Sequence, residues 1–297
     1  MKKAIVTGAC GFVGRALTEC LRQKGVEVLA VGRARQREQA SFGEGVTFAA
    51  AEEMTEADWL RLGCGVEVFY HLAWSGSAGK GRGDLLLQAE NLRQAALSLE
   101  RAAALGCEKW IGAGSIAEGE AIKSQNPAPS EIYGWAKKAA WEMCRRHQGE
   151  TEVLWGRITN AYGAGEDSSR LICRSLKEIS RGRRLSFTDG TQLYDFLYIT
   201  DAAEAFFLLG EKGKGGKAYT IGSGRARPLR QWLEILLSES GGQGDFGILT
   251  QQGSGLTAEE LDSSQLRKDT GFLPQVDFRE GIRRTMAWQK EAGLWDS

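Results

Sequence analysis

Short, nearly unbroken apolar runs alternate with longer segments in which apolar residues recur every three or four positions, from residue 3 to about residue 160. The runs Ala4–Val6, Val26–Val31, Val46–Ala49, Val66–His71, Lys109–Ala113 and Glu152–Ile158 read as strands. The segments between them read as helices, most clearly Arg15 to Lys24, Asp84–Leu105 and Ile132–His147. A strand without polar alternation is covered on both faces. Such strands alternating with helices predict an α/β fold, a doubly wound parallel sheet.

The rhythm changes after Tyr162. The pattern predicts a helix over Arg170–Arg181, a strand near Leu185–Thr188, a turn at Asp189 to Thr191 and a strand at Asp195–Ile199. A helix over Ala202–Leu209 follows, with Thr200 or Asp201 as its cap, and Ala218–Ile221 reads as one more strand. Helices are expected near Leu229–Ser238, Ala258–Lys268 and Phe278–Glu291, and the Gly- and Gln-rich stretch Ser240–Gly255 reads as a surface loop. The division this implies is a nucleotide-binding domain over residues 1–162 plus about 195–224, and a smaller C-terminal α/β lobe over 163–194 and 225–297.

The first strand runs into Thr7-Gly8-Ala9-Cys10-Gly11-Phe12-Val13-Gly14, and a helix follows. Glycine accepts positive φ and lets the backbone approach a pyrophosphate closely. The helix N-terminus behind it presents free N–H groups and the positive end of a dipole. In a strand–turn–helix context this spacing points to a dinucleotide and a Rossmann-type sheet. At the end of the second strand an NAD site wants a carboxylate for the ribose 2′-OH. Here the position is Arg33, whose guanidinium suits a 2′-phosphate. NADP(H) is therefore favoured, with NAD(H) open if Arg33 stacks on adenine or faces solvent.

Tyr133 and Lys137 are four residues apart on a helix and share a face. A neighbouring cation favours the phenolate and makes a phenol a usable proton donor or acceptor. Ser115 stands just past the fifth strand, at the strand end where ligands sit in such sheets, and can hydrogen-bond a carbonyl oxygen as it gains charge.

Further segments match along most of the chain: His71-Leu72-Ala73, Asn91, Arg157 with Asn160, Tyr162 and Gly163, Asp189 to Asp201, and Tyr219 to Gly224. With the corner and the Ser115/Tyr133/Lys137 set, they make the chain resemble the extended short-chain dehydrogenases/reductases of the nucleotide-sugar epimerase/dehydratase/reductase kind. The resemblance implies catalysis by Ser115, Tyr133 and Lys137. It implies a cofactor held by Thr7, Gly8, Cys10, Gly11, Phe12, Val13, Gly14, Arg33, Leu72, Ala73, Asn91, Tyr133 and Lys137, Asn91 also supporting the proton relay. It implies a nucleotide-sugar contacted by Asn160, with Trp74 after His71-Leu72-Ala73 as a wall for the sugar and Ser115 at its carbonyl. An arginine that often grips the diphosphate is replaced by Tyr194, which leaves Arg170 and Arg225 as candidates for that task. Arg33 tilts the expected reaction toward an NADPH-dependent reduction of a keto group. An epimerase with tightly bound cofactor is the alternative. A dehydratase fits less well, because Ile116 and Ala117 stand where its acidic pair belongs and Glu118 is one place further along, within reach only from a loop. A homodimer packed through Asp84–Leu105 and Ile132–His147 is also implied.

Composition narrows the partners. Lys plus Arg equals Asp plus Glu, 38 each, for a net charge of zero. No basic field for nucleic acid or a membrane surface is expected. Six cysteines without a C-x-x-C pair and two histidines argue against a metal site and a disulfide framework. The apolar start is broken by Gly8 and Gly11, which argues against a signal peptide, and no run approaches a membrane span. A cytoplasmic location is the expectation.

Overall fold

The computed structural model describes residues 1–123, 128–250 and 255–295. Its first half runs β1 (Lys3–Thr7), α1 (Phe12–Gln23), β2 (Glu27–Gly32), β3 (Val46–Ala50), α2 (Glu56–Leu62), β4 (Val68–His71), α3 (Leu85–Ala104), β5 (Lys109–Ser115), α4 (Ala117–Lys123), α5 (Ile132–Cys144) and β6 (Glu152–Ile158). With Ala218–Ile221 these strands form one seven-stranded sheet in the order Ala218–Ile221, β6, β5, β4, β1, β2, β3. Every pairing in it is parallel. The order reverses between β1 and β4, so a crevice opens at the carboxyl ends of those two strands, where ligands bind in open α/β sheets.

Both faces of the sheet are dry. Ala4, Val6, Val68 and Tyr70 point into one cluster with Leu17 and Leu21 of α1 and with Phe206 and Leu209. Ile5, Leu29 and Phe69 point the other way, against Leu99 of α3 and Trp141 of α5. Successive strand residues thus serve opposite cores, which is why their sequence is continuously apolar. Gly112 and Gly114 are strand residues here, and they make room for an indole. A Cβ on Gly112 would lie 2.1 Å from the Trp155 ring, and one on Gly114 2.2 Å from its Nε1.

The second half adds α6 (Leu171–Ser180), α7 (Ile199–Lys212), α8 (Leu229–Ser240), α9 (Ser264–Thr270) and α10 (Phe278–Glu291). A third core, with Leu176, Phe196, Trp232 and Phe278 among its members, unites α6, α8 and α10 beside the carboxyl edge of the sheet. Several expectations are corrected here. The helix expected over Ala202–Leu209 starts at Ile199 with Tyr198 as N-cap, and no side chain caps it. The Asp201 carboxylate instead accepts the N–H groups of Gln275 and Val276, at 3.1 and 2.9 Å, tying α7 to the C-terminal segment. The strand expected over Asp195–Ile199 shortens to Phe196–Tyr198, and Ile199 instead begins α7. The helix expected over Ala258–Lys268 begins at Ser264. Helix α2 was not foreseen, although Thr55 and Asp58 form a reciprocal capping box at its start. Part of the expected loop Ser240–Gly255 lies outside the described residues, and Gly244–Asp245 pairs in parallel with Leu185–Ser186. No helix among the described residues is long and apolar enough to cross a membrane.

His71 closes β4 at the centre of the sheet. Its Nδ1 lies 3.0 Å from Thr7 Oγ1, and its ring stacks on Trp110 at 5.9 Å. Burial, assisted by Lys137, drives its pKa down to about 3. The unfolded chain therefore takes up a proton below about pH 6.5 that the native chain refuses until about pH 3, so this residue's contribution falls as pH drops through that window. Between pH 6.5 and 4.5 the wild type should lose about 2–3 kcal/mol of unfolding free energy that His71→Gln does not lose. Urea denaturation of both proteins at the two pH values measures the difference, and parallel losses would refute it.

Candidate active site

The corner after β1 is built by close approach. Gly8 has φ 71°, and a Cβ there would stand 2.7 Å from Ala73 N, at the end of β4. A Cβ on Gly14 would stand 2.1 Å from Gly8 O. Gly11 is the N-cap of α1, with no side-chain cap and no acidic residue in the first turn. The N–H groups of Phe12 and Val13 begin the helix behind it, and its dipole is uncompensated. These residues fit the diphosphate of a dinucleotide. Cys10 is half-buried, and its Sγ would lie 3.0 Å from a Cβ on Gly32.

A groove of about 670 Å³ leads away from this corner past Arg33, Glu52, Trp74 and Asn91. Thr7, Leu72 and Ala73 form part of its floor. Arg33 is exposed, and its guanidinium donates to Ser75 Oγ across the groove. Its neighbour Ala34 donates its N–H to Glu52 Oε2 at 3.1 Å. Glu52 puts a carboxylate beside the arginine, and the strand pattern gives no sign of it because it follows β3 in a separate short turn. The Asn91 side chain clamps the Ser75 backbone, accepting its N–H at 2.9 Å and donating to its carbonyl at 2.8 Å. Asn91 thereby holds the loop after β4.

A second cavity of about 300 Å³ lies across the sheet's carboxyl edge, bordered by Ser115, Tyr133, Asn160, Arg170 and Tyr194. The structure thus brings six of the expected site residues together, these five and Val13 of α1. Arg82, Glu120 and Glu166 join them, and none is legible from the sequence, since each comes from a different loop or helix with no motif of its own. Arg225 does not join them. It borders another hollow with Arg227, Trp232 and Gln275, because the Asp195 carboxylate holds the turn before it through Ser223 Oγ and Gly224 N. Arg170 points its Nε at Glu166, 3.8 Å away. Asn160 donates to Asp195 O at 3.2 Å.

Tyr133 is buried and lines this cavity together with Ser115. Burial raises its pKa, and the Ser115 hydroxyl and the cations Arg170 and Arg82 oppose that rise. Lys137 is buried too. Its ammonium donates to Ala113 O at 2.5 Å and sits 3.6 Å from the Trp74 ring centroid. Burial, against the pull of Glu118, brings its pKa from 10.5 down to about 7. Trp74 is fixed by Nε1 donation to Gln88 Oε1 at 2.8 Å.

Glu118 is not on a loop free to act as an acid or base. It lies in α4, buried, and its Oε1 accepts from Ser115 N and from Trp155 Nε1, both at 2.9 Å. Its Oε2 accepts from Arg157 Nε at 2.8 Å. These bonds engage both oxygens in holding the end of β5.

A dinucleotide corner and a buried Ser–Tyr–Lys group on one edge of a parallel sheet are together the arrangement of an extended short-chain dehydrogenase/reductase, an enzyme fold. The chain belongs to the NAD dependent epimerase/dehydratase family, whose model matches residues 4–222. It is 26% identical to a dTDP-6-deoxy-L-talose 4-dehydrogenase (NAD(P)(+)) of Kitasatospora kifunensis, over 98% of this chain and 96% of that protein. It is 24% identical to a UDP-glucose 4-epimerase of Mycolicibacterium smegmatis, over 96% of this chain and 97% of that protein. A dTDP-glucose 4,6-dehydratase of Streptomyces griseus is 23% identical, but the match spans 61% of this chain and only 57% of that protein. Among solved structures, the Bordetella bronchiseptica enzyme WbmF in complex with NADH superposes with a TM-score of 0.81 at 21% identity, covering 99% of this chain and 94% of that one.

The corner leaves no room for a side chain at its tightest point. Gly14→Ala should cost about 1–3 kcal/mol through forced backbone displacement. It should also abolish the rise in Tm that a bound dinucleotide gives the wild type. Thermal melts with and without NADPH and NADH test both effects, and an unchanged ligand-induced shift would exclude this corner as the diphosphate seat.

Proposed function

We propose that this chain reduces a keto group on a nucleotide-activated sugar or deoxysugar with NADPH. The observation that carries this reading is the buried Tyr133, sharing with Ser115 a cavity beside the dinucleotide corner. A bound nicotinamide would supply the hydride to the carbonyl carbon. Tyr133 gives its proton to the oxygen that becomes the hydroxyl. Ser115 hydrogen-bonds the same oxygen as charge builds on it. Lys137 orients the cofactor ribose and assists the return of a proton to Tyr133. Asn160, Arg170 and Tyr194 contact the substrate, and Trp74 walls the sugar. The C-terminal lobe, 163–194 and 225–297, supplies the substrate's nucleotide side, and the chain works as a homodimer packed through α3 and α5.

Arg33 supports NADP(H), since its exposed guanidinium stands at the end of β2 without a carboxylate within ion-pair range among the described residues. Arg33→Ala should weaken NADPH binding roughly tenfold, the worth of one charge-assisted contact, and leave NADH binding unchanged. Titration calorimetry measures both. Equal losses would refute a 2′-phosphate contact.

The alternative is an epimerase that keeps its nicotinamide bound. The full-length similarity to a UDP-glucose 4-epimerase and the NADH bound by the superposed Bordetella enzyme support it. The two readings separate on purification. A reductase consumes NADPH one for one with a nucleotide-linked keto-sugar, whereas an epimerase emerges with nicotinamide bound and interconverts sugars with no net consumption. In either case Tyr133→Phe should lower kcat roughly 10²–10⁴-fold with an unchanged fold by circular dichroism. Undiminished turnover would remove Tyr133 from the chemistry.

A further inference from the structure

The serine that borders the catalytic cavity is held by a carboxylate that the mechanism above leaves out. Ser115 ends β5, and Glu118 stands in the first turn of α4, 2% exposed. A carboxylate is costly to bury unless its lone pairs are filled. Those of Glu118 are filled from two adjacent strands. Oε1 accepts from Ser115 N of β5 and from Trp155 Nε1 of β6, and Oε2 accepts from Arg157 Nε, also of β6. Serine followed three residues later by glutamate is the spacing of a helix capping box. A cap needs only the bond to the serine N–H, and the two donors from β6 go beyond it.

The same turn orients the serine side chain. Ser115 Oγ accepts the N–H of Ala117 at 3.2 Å, which leaves the hydroxyl proton to be donated elsewhere. The packing around the turn leaves little play. A Cβ on Gly114 would stand 2.6 Å from Glu118 Oε1. One on Gly134, next to Tyr133, would stand 2.2 Å from Ala117 O and 2.8 Å from Ala121 Cβ. The turn from Ser115 to Glu118 is thus wedged between the end of the sheet and the helix that carries Tyr133. Glu118 itself does not border the catalytic cavity. It borders a separate hollow with Lys138, Arg157 and Glu260.

We propose that Glu118 is a positioning residue for Ser115. By tying the serine N–H to Trp155 and Arg157 of β6, it fixes where the Ser115 hydroxyl stands relative to the Tyr133 phenol. This rests on Ser115 and Tyr133 serving one carbonyl oxygen, as in the proposed reduction. The rival role is a carboxylate that only stabilises the fold. The two roles differ in one respect. A fold brace costs the same whatever residue occupies position 115. A brace that acts through Ser115 costs catalysis nothing more once that hydroxyl is gone.

The test measures the effect of Ser115→Ala in three backgrounds: wild type, Glu118→Gln and Glu118→Ala. Both Glu118 variants remove the same charge, but the glutamine keeps an oxygen for Ser115 N and Trp155 Nε1. Tyr133 is replaced by difluorotyrosine, whose phenol ionises in an accessible range, and fluorine NMR of the full chain follows its titration. Ser115→Ala should raise the midpoint by about 1 pH unit in wild type and in Glu118→Gln, the worth of one hydrogen bond to the ionised phenol. In Glu118→Ala the same change should hardly move it. With the natural tyrosine, Ser115→Ala should lower kcat for reduction of dTDP-4-keto-6-deoxyglucose by NADPH about 10²-fold in the first two backgrounds, with KM held. Glu118→Ala should by itself lose most of that activity, and Ser115→Ala should then take little more. An effect of Ser115→Ala as large in Glu118→Ala as in wild type overturns the proposal. An effect absent from every background overturns the reading of Ser115 on which it rests. If Glu118→Ala does not fold, Glu118→Leu fills the space without accepting a hydrogen bond. The fluorine readout needs no turnover, so it decides the role of Glu118 even where this keto-sugar is not reduced, an outcome that counts against the proposed function alone.

Discussion

The contact between the corner of β1 and the end of β4 governs the arrangement of the molecule. Gly8 lies against the backbone of Leu72 and Ala73 with no space for a side chain. Gly14 lies as close to Gly8. Those two approaches bring the start of α1 down onto the carboxyl edge of the sheet at the point where the strand order reverses. Everything with chemical potential is then measured from that edge: Thr7 and His71 at the two strand ends, Ser115 one strand further, and the loop that carries Arg82 above them. Parallel strands covered on both faces cannot offer their sides to a ligand, so this edge is where the fold is open.

Burial sets the electrostatics of the site. Lys137 is enclosed by Trp74, Tyr133 and Trp155, and the cost of a charge in that enclosure brings its ionisation to near neutrality. The same enclosure raises the Tyr133 phenol, so cations that remain charged acquire weight, Arg170 and Arg82 among them. Glu118 is the complementary case. Its carboxylate is as buried, but the N–H of Ser115, the indole of Trp155 and the guanidinium of Arg157 engage both oxygens. A buried carboxylate with that many donors holds the end of β5 and the residues around it.

Local chemistry accounts for what was legible from the chain alone. Continuous apolar runs marked the six strands from β1 to β6, and the helix pattern marked α10 to its end residues. The glycine spacing marked the corner, since positive φ and close approach leave few substitutes for glycine. Elements held by a partner were misjudged. Asp201 reads as a cap, but the C-terminal segment takes its carboxylate. Asp195 reads as a strand residue, and its carboxylate holds the distant turn at Ser223 and Gly224. Gly114 lies past the expected strand end at Ala113, but it is a strand residue, and with Gly112 it admits Trp155.

The amino-acid sequence by itself determined the alternation of elements, the dinucleotide corner and the identity of the serine, tyrosine and lysine, because each depends on residues within a turn or two of one another. Only the tertiary structure decided which charges meet. Whether Lys137 faces the phenol or the strand, whether Glu118 is free, whether Arg225 reaches the cavity and whether Arg82 does are all set by where distant loops close. Coulomb energy and desolvation depend on through-space distance and on burial, and neither is written in the spacing of residues along a chain.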